Sequence, residues 1–277
     1  MMRKFVSAAI AVLAIGALAG GAAAQMKKVR VGTEGAYPPF NYIDPDGKLQ
    51  GFDVDIANAL CAAAKLECEF VVQDWDGIIP GLMAKKFDAI VASMSITEER
   101  KQKVDFTDKY YNTPAKFVQR KGAGFKIVLD SGVETVADTS KVQLNKEGLK
   151  GKSVAVQRAT IHENFLRDNF GDVIEIKSYA TQDEANADLA AGRVDLALAD
   201  SVALDEGFLK TDAGKDFEFT GPGFTDKKWF GDGAGIAVRK GDNELREALN
   251  KALKQILDDG TYKKINNKYF AFDVYGG

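Results

Sequence analysis

Arg100 stands at the end of the run Ala92-Ser93-Met94-Ser95-Ile96-Thr97-Glu98-Glu99, directly after the apolar stretch Ala89-Ile90-Val91. A strand that turns into a helix here exposes small side chains and unpaired backbone N–H groups, with one guanidinium a short step into the helix. Backbone donors at a helix N-terminus and a forked guanidinium together make a receptor for a carboxylate. The same residues also fit a plain loop, with Thr97 as a helix cap and Arg100 paired on the surface to Glu98 or Glu99. Catalytic patterns are hard to find. His162 is the only histidine, no Gly-x-Ser-x-Gly elbow occurs, and Cys61 and Cys68 supply two ligands at a spacing that suits no zinc pattern. No catalytic residue, metal or cofactor is expected.

The elements that position this run follow an α/β rhythm. Strands at 29–32, 67–72 and 88–91 alternate with helices at 52–66 and 75–84, and a turn-rich hairpin covers 41–51. In the first helix Val54, Ile56, Ala57, Leu60, Cys61 and Ala64 recur at helical spacing. A second series has strands at 153–156, 173–179 and 196–199 with helices at 161–169, 181–190 and 201–208. The chain closes with a strand at 235–239 and helices at 243–259 and 261–269. Residues 122–151 are polar and rich in Lys and Gly, and are read as an insertion with one short helix near 144–149. Such a pattern gives two lobes, each a mostly parallel sheet flanked by helices, with loops gathered at the strands' C-terminal ends. About 250 mature residues suit two domains. The expected lobes are 26–111 plus 234–277 and 116–224, joined by two hinge crossovers near 112–115 and 225–233 that let them close on a ligand.

The N-terminus sets the compartment. Arg3 and Lys4 precede an Ala-rich apolar stretch that ends in Ala22-Ala23-Ala24, the layout of a secretory signal peptide over residues 1–24 cleaved after Ala24. A membrane anchor is the competing reading, but hydrophobic drive is weak and no charged flank follows. Removing Arg3 and Lys4 takes the formal charge from −3 to −5, which argues against nucleic acid as a partner. In an oxidising compartment Cys61 and Cys68 read as one short disulfide, the alternative being two buried thiols.

The runs Gly51-Phe52-Asp53-Val54-Asp55, Asp74-Trp75-Asp76-Gly77-Ile78-Ile79-Pro80, Ser93-Met94-Ser95-Ile96-Thr97, Ala191-Gly192-Arg193-Val194-Asp195 and Asp259-Gly260-Thr261-Tyr262 carry a family likeness. With them the chain resembles the periplasmic amino-acid-binding proteins of ABC importers, most of all the lysine/arginine/ornithine- and histidine-binding branch, whose cysteine pair matches Cys61 and Cys68. Thr33-Glu34-Gly35, Gln157 and the long segment 122–151 are also similar to the opine-binding relatives. The resemblance implies a type II periplasmic-binding-protein fold. It also implies a monomer that hands a basic amino acid, arginine before ornithine and lysine, to an inner-membrane ABC permease. An opine such as octopine is the second reading, and a dehydratase-type enzyme on the same fold the third.

The resemblance also assigns roles. Arg100 grips the ligand's α-carboxylate with the N–H groups of Ser95 and of Thr160 or Ile161, at a helix start that favours anions. Asp200 meets the α-ammonium, although as a strand-ending residue it also fits a helix cap. The Ser93 hydroxyl and the C=O of Ala92 or Ser93 complete the ammonium cage. Tyr37 and Trp75 sandwich the aliphatic stem, and a Trp face attracts a cationic head. Glu34 reads the side-chain cation. His162 touches the ligand's distal end or is a plain surface residue of its helix, and Gln157 and Arg158 are the candidates for an opine's extra carboxylate.

Overall fold

The computed structural model describes residues 27–276, so the expected signal peptide and cleavage site lie outside the described residues. The first half builds β1 (Lys27–Thr33), a small antiparallel sheet of β2 (Ala36–Tyr37), β3 (Asn41–Ile43) and β4 (Leu49–Gln50), then α1 (Phe52–Ala64), β5 (Leu66–Val72), α2 (Trp75–Met83), β6 (Ala89–Ile90), α3 (Glu98–Lys101) and β7 (Val104–Tyr111). The second builds β8 (Ala115–Arg120), β9 (Thr135–Val136), β10 (Ser153–Gln157), α4 (Ile161–Phe170), β11 (Glu175–Tyr179), α5 (Gln182–Ala190), β12 (Leu196–Asp200), α6 (Ser201–Leu204) and β13 (Phe217–Phe224). Then come α7 (Lys227–Phe230), β14 (Ala234–Arg239), α8 (Asn243–Asp258) and α9 (Thr261–Tyr269).

These strands make two large sheets. The first runs β5-β1-β6-β14-β7 and the second β11-β10-β12-β8-β13-β9. β1 pairs in parallel with β5 and β6, and β10 with β11 and β12, whereas β14 and β8 lie antiparallel to their neighbours β6 and β12. The chain therefore leaves the first sheet after β7, completes the second, and returns through β14.

Local sequence accounts for the helices. α1 buries Phe52, Ile56, Ala57, Leu60 and Cys61 on one face and stops where Lys65 takes a left-handed φ of 55°. Its start requires Gly51: at φ 126° an added Cβ would lie 2.1 Å from the Phe40 carbonyl oxygen. α8 buries Leu245, Leu249, Ala252, Leu253 and Ile256, with Asp242 accepting the Leu245 N–H. Thr181 and Glu184 form a capping box on α5, satisfying donors a helix start leaves open. Each sheet has its own apolar core, and Phe40, Phe52, Tyr110, Tyr111 and Phe270 pack as an aromatic cluster in the first. A disulfide joins Cys61 in α1 to Cys68 in β5.

Three features depart from the sequence reading. The single helix expected near 144–149 is instead a turn of 3₁₀-helix at Glu147–Leu149, with another at Thr139–Lys141 and the short strand β9 beside them. Ile127, Val128, Val136 and Leu149 bury in the second core, so this segment is packed despite its polar composition. β7 and β13 were not foreseen. Acids interrupt the alternation of β7, and the Gly221-Pro222-Gly223 triplet of β13 reads as a turn, whereas the strand continues past a register shift between Thr220 and Phe224. The helix expected over 201–208 is regular only to Leu204 and then widens into a π-turn at Asp205–Leu209.

Candidate functional site

Five parallel strands end at one cavity between the two sheets. Glu34 follows β1, Trp75 lies just beyond β5, Ala92 and Ser93 follow β6, Gln157 ends β10 and Asp200 ends β12; all of them line it. Ligand sites in open α/β sheets form at such strand ends, where helix starts and loops converge. Tyr37, Ser95, Arg100, Thr160, Ile161 and His162 line the same cavity, so all twelve candidate residues come together.

Arg100 is the only cation in the lining. Thr97 caps α3 by accepting the Arg100 N–H, so the expected cap forms. The side chain nonetheless turns inward rather than to the surface. It is 9 % exposed, Nη1 donates to the Ser95 carbonyl at 3.1 Å, and Cζ lies 5.2 Å from the centre of the Trp75 ring. No carboxylate among the described residues pairs with it, and burial lowers its pKa to about 10. It stays charged at neutral pH. A buried, hydrogen-bonded guanidinium without a counter-ion is costly unless an anion joins it.

Backbone donors converge nearby. Ser95 bridges Ala234 through the bonds Ile96 N–H to Gly233 C=O and Gly235 N–H to Met94 C=O. Those bonds leave the N–H of Ser95 itself outside the ladder. At α4 the Thr160 hydroxyl accepts the Glu163 N–H and donates to the Gln157 carbonyl. Glu163 in turn accepts the Ala159 N–H at 2.7 Å and the Ser178 hydroxyl at 2.6 Å. This anchors Ala159, a non-glycine residue at φ 57°, where left-handed backbone costs on the order of 1 kcal/mol or more. Strain of this kind, held by surrounding bonds, shapes the helix start that faces the cavity.

His162, read from the sequence as a distal contact or a plain surface residue of the helix, is buried in the cavity lining with Phe230 6.0 Å away. Burial first, and Arg100 second, push its pKa down to about 3, so the imidazole is neutral.

Asp200 forms the helix cap considered for it and also lines the cavity. Oδ1 caps α6 by accepting the N–H groups of Val202 at 2.8 Å and Ala203 at 3.2 Å, while Oδ2 accepts the Thr113 hydroxyl. Burial outweighs these bonds and raises its pKa to about 6. The Ser93 hydroxyl does not point freely into the cavity; it donates to Asp53 at 2.9 Å. Tyr37 is buried and stacks on Phe40 with ring centres 6.0 Å apart.

Glu34 is 6 % exposed and accepts from Gln157 Nε2 at 2.5 Å, an amide that also donates to the Ala180 carbonyl at 3.1 Å. Burial raises the Glu34 pKa to about 7 against that hydrogen bond. Two more contacts cross between the sheets: Trp75 Nε1 donates to the Ala159 carbonyl at 3.0 Å, and Arg158 pairs with Asp76 at 2.7 Å. Arg158 is absent from the cavity lining and committed to Asp76, which corrects its candidacy for an extra carboxylate.

Sequence reasoning missed Tyr111, Asn112, Thr113, Ala115, Phe230, Gly233 and Ala234, all of which line the cavity. They sit where the chain crosses between sheets. The expectation of crossovers at 112–115 and 225–233 was the available signal, since crossing segments must floor a cleft between two sheets. No cluster of metal-ligating side chains occurs among the described residues.

Comparison with known proteins gives a consistent picture. The pattern of the bacterial extracellular solute-binding proteins, family 3, matches residues 29–272. The chain is 48 % identical over 270 residues to an L-arginine-binding protein of Pseudomonas aeruginosa, covering 97 % of this chain and 98 % of that one. It is 45 % identical over 277 residues to a histidine-binding periplasmic protein of Escherichia coli, with both chains covered in full. Among solved structures, a periplasmic binding protein of Salmonella typhimurium described by its high arginine specificity superposes with a TM-score of 0.76 at 32 % identity, covering 88 % of this chain and 100 % of that one.

Proposed function

Because the chain belongs to the bacterial extracellular solute-binding proteins of family 3, we propose that it captures a basic amino acid in the periplasm, arginine first and then ornithine and lysine, for an ABC importer. The carrying observation is the placement of charge. One unpaired guanidinium, Arg100, and two carboxyls, Glu34 and Asp200, face one buried cavity beside a neutral imidazole. With both acids ionised the lining carries one net negative charge, and arginine carries one net positive charge. Each ligand charge then meets an opposite one, as burial of three charges requires. The carboxylate joins Arg100 and the N–H groups of Ser95, Thr160 and Ile161. The α-ammonium joins Asp200, Ser93 and the carbonyl of Ala92 or Ser93. The guanidinium joins Glu34 beside Gln157. Tyr37 and Trp75 flank the stem, and a flat guanidinium suits both the Trp75 face and a two-oxygen grip by Glu34.

Octopine is the second reading within the same class, and the charge balance weighs against it. It is neutral overall, and its second carboxylate finds no free cation in the lining because Arg158 pairs with Asp76. The lobes 26–111 plus 234–277 and 116–224 close about hinges at 112–115 and 225–233, after export and cleavage behind Ala24, and the closed monomer delivers its ligand to an inner-membrane permease. A thermal-shift panel of free amino acids, opines and polyamines tests the ligand. Arginine at about 100 times its Kd is expected to add about 2.7 kcal/mol of stability, and a response to octopine alone would replace arginine with an opine.

A further inference from the structure

A carboxylate outside the cavity is bonded to its lining through Ser93. Asp53 is 0 % exposed, lies in the first turn of α1, and has no lysine or arginine partner among the described residues. Three neutral donors surround it. Tyr110 Oη donates to Oδ1 at 2.7 Å, while Asn41 Nδ2 at 2.8 Å and Ser93 Oγ at 2.9 Å donate to Oδ2. Ser93 N–H donates to Tyr110 Oη at 3.0 Å, which leaves the tyrosine hydrogen for Asp53. Ser93 itself has a φ of 53°, a left-handed conformation that a non-glycine residue keeps only when its surroundings hold it.

Resting on the reading of the ligand as an α-amino acid, we propose that Asp53 is a positioning residue for the α-ammonium, acting through Ser93. A hydroxyl has one hydrogen and two lone pairs. Asp53 takes the hydrogen, so Ser93 Oγ has only lone pairs left to offer. An ammonium has only hydrogens to offer, so the match is one-sided and excludes groups that need a donor at that spot. Asp53 also places a second negative charge behind Ser93, which strengthens the acceptor through the polarised O–H bond. Burial raises the Asp53 pKa to about 6, as for a carboxyl that has donors but no cation. The same network reaches the other end of the ligand. Asn41 Oδ1 accepts the Gly35 N–H at 2.8 Å, with Gly35 at φ 78° directly after Glu34. Asn41, rather than Asp53, holds that loop directly.

The test compares arginine with 5-guanidinopentanoate, which keeps the carboxylate and guanidinium but lacks the ammonium. In calorimetry, Asp53→Asn is expected to weaken arginine at least about 10-fold and the deamino analogue less than about 3-fold. Ser93→Ala should reproduce that pattern, and adding Asp53→Asn to Ser93→Ala should cost less than a further factor of about 3. Equal losses for both ligands in Asp53→Asn would overturn the proposal and mark Asp53 as structural. If Asp53→Asn does not fold, Ser93→Ala decides alone, and equal losses there overturn it too. A wild-type protein that binds no amino acid would instead remove the ligand reading beneath it.

Discussion

Replacing Glu34 by glutamine keeps the shape of the side chain and removes its charge. Glu34 is buried and takes a 2.5 Å bond from Gln157. The amide carbonyl introduced by Glu34→Gln can accept the same bond, so the bridge between the sheets survives. What disappears is the charge-assisted contact to a ligand guanidinium, worth about 1.5–3 kcal/mol. Arginine should therefore bind roughly 10- to 150-fold more weakly. Citrulline has nearly the same outline and no side-chain charge. In the wild type it leaves Glu34 enclosed without a cation, so Glu34→Gln should leave citrulline within about 3-fold or improve it. Calorimetry at pH 8 is the proper assay, because with a pKa of about 7 a large share of Glu34 is protonated in the ligand-free protein at neutral pH. An unchanged ratio of arginine to citrulline affinity in Glu34→Gln would refute Glu34 as the reader of the distal cation.

Arg100→Ala should abolish binding of every amino acid, since the carboxylate would be enclosed without its counter-charge at a loss of roughly 3–5 kcal/mol; near-native affinity in calorimetry would place the carboxylate elsewhere. The acids at the site set a pH dependence. Glu34 is raised from 4.5 to about 7, and Asp53 and Asp200 from 3.8 to about 6. At these three acids the folded protein holds protons that the unfolded chain releases. His162, lowered from 6.5 to about 3, acts in the opposite sense but is one group against three. The site's contribution to ligand-free stability should therefore fall as pH rises through about 4 to 7. Arginine pairs with the ionised forms, so its increment in Tm at fixed excess should be larger at pH 8 than at pH 5; the reverse trend would contradict the charge assignment. Cys61→Ser with Cys68→Ser should lower stability by about 2.5 kcal/mol, the loop-entropy value for so short a closure. Arginine affinity should stay within about 3-fold because the bond ties α1 to β5 away from the cavity, as denaturant melts and titration would show.

Much of the site was legible because its parts sit at strand ends, which apolar runs mark clearly. The run Ala89-Ile90-Val91 locates Ser93, Ser95 and Arg100, and the run from Leu196 to Ala199 locates Asp200. The inward turn of Arg100 was not decidable from spacing, since Thr97 caps α3 in either case; burial under Trp75 makes the difference. Asp53 was illegible for a related reason. An acid in the first turn of a helix is ordinary, and only the fold brings Tyr110, Asn41 and Ser93 around it. Whether His162 faces the cavity or the surface depends on the rotation of α4, which no local pattern fixes. The cleft floor at Thr113 and Phe230 comes from residues distant in sequence, and the packing of Ile127, Val128 and Leu149 was hidden by the polar residues between them.

On the proposed reading, charge separation makes the cavity general at one end and selective at the other. In the proposed complex Arg100 and Asp200 answer groups that every α-amino acid has, and neither distinguishes side chains. Selection there falls to Glu34, Gln157 and Trp75. A crystal structure of the protein with bound arginine measures this division most directly. The expected complex has the ligand carboxylate on Arg100 and the N–H groups of Ser95, Thr160 and Ile161, the ammonium on Asp200 and Ser93, and the guanidinium on Glu34. A ligand lying the other way round, or a guanidinium that leaves Glu34 bonded only to Gln157, would contradict it.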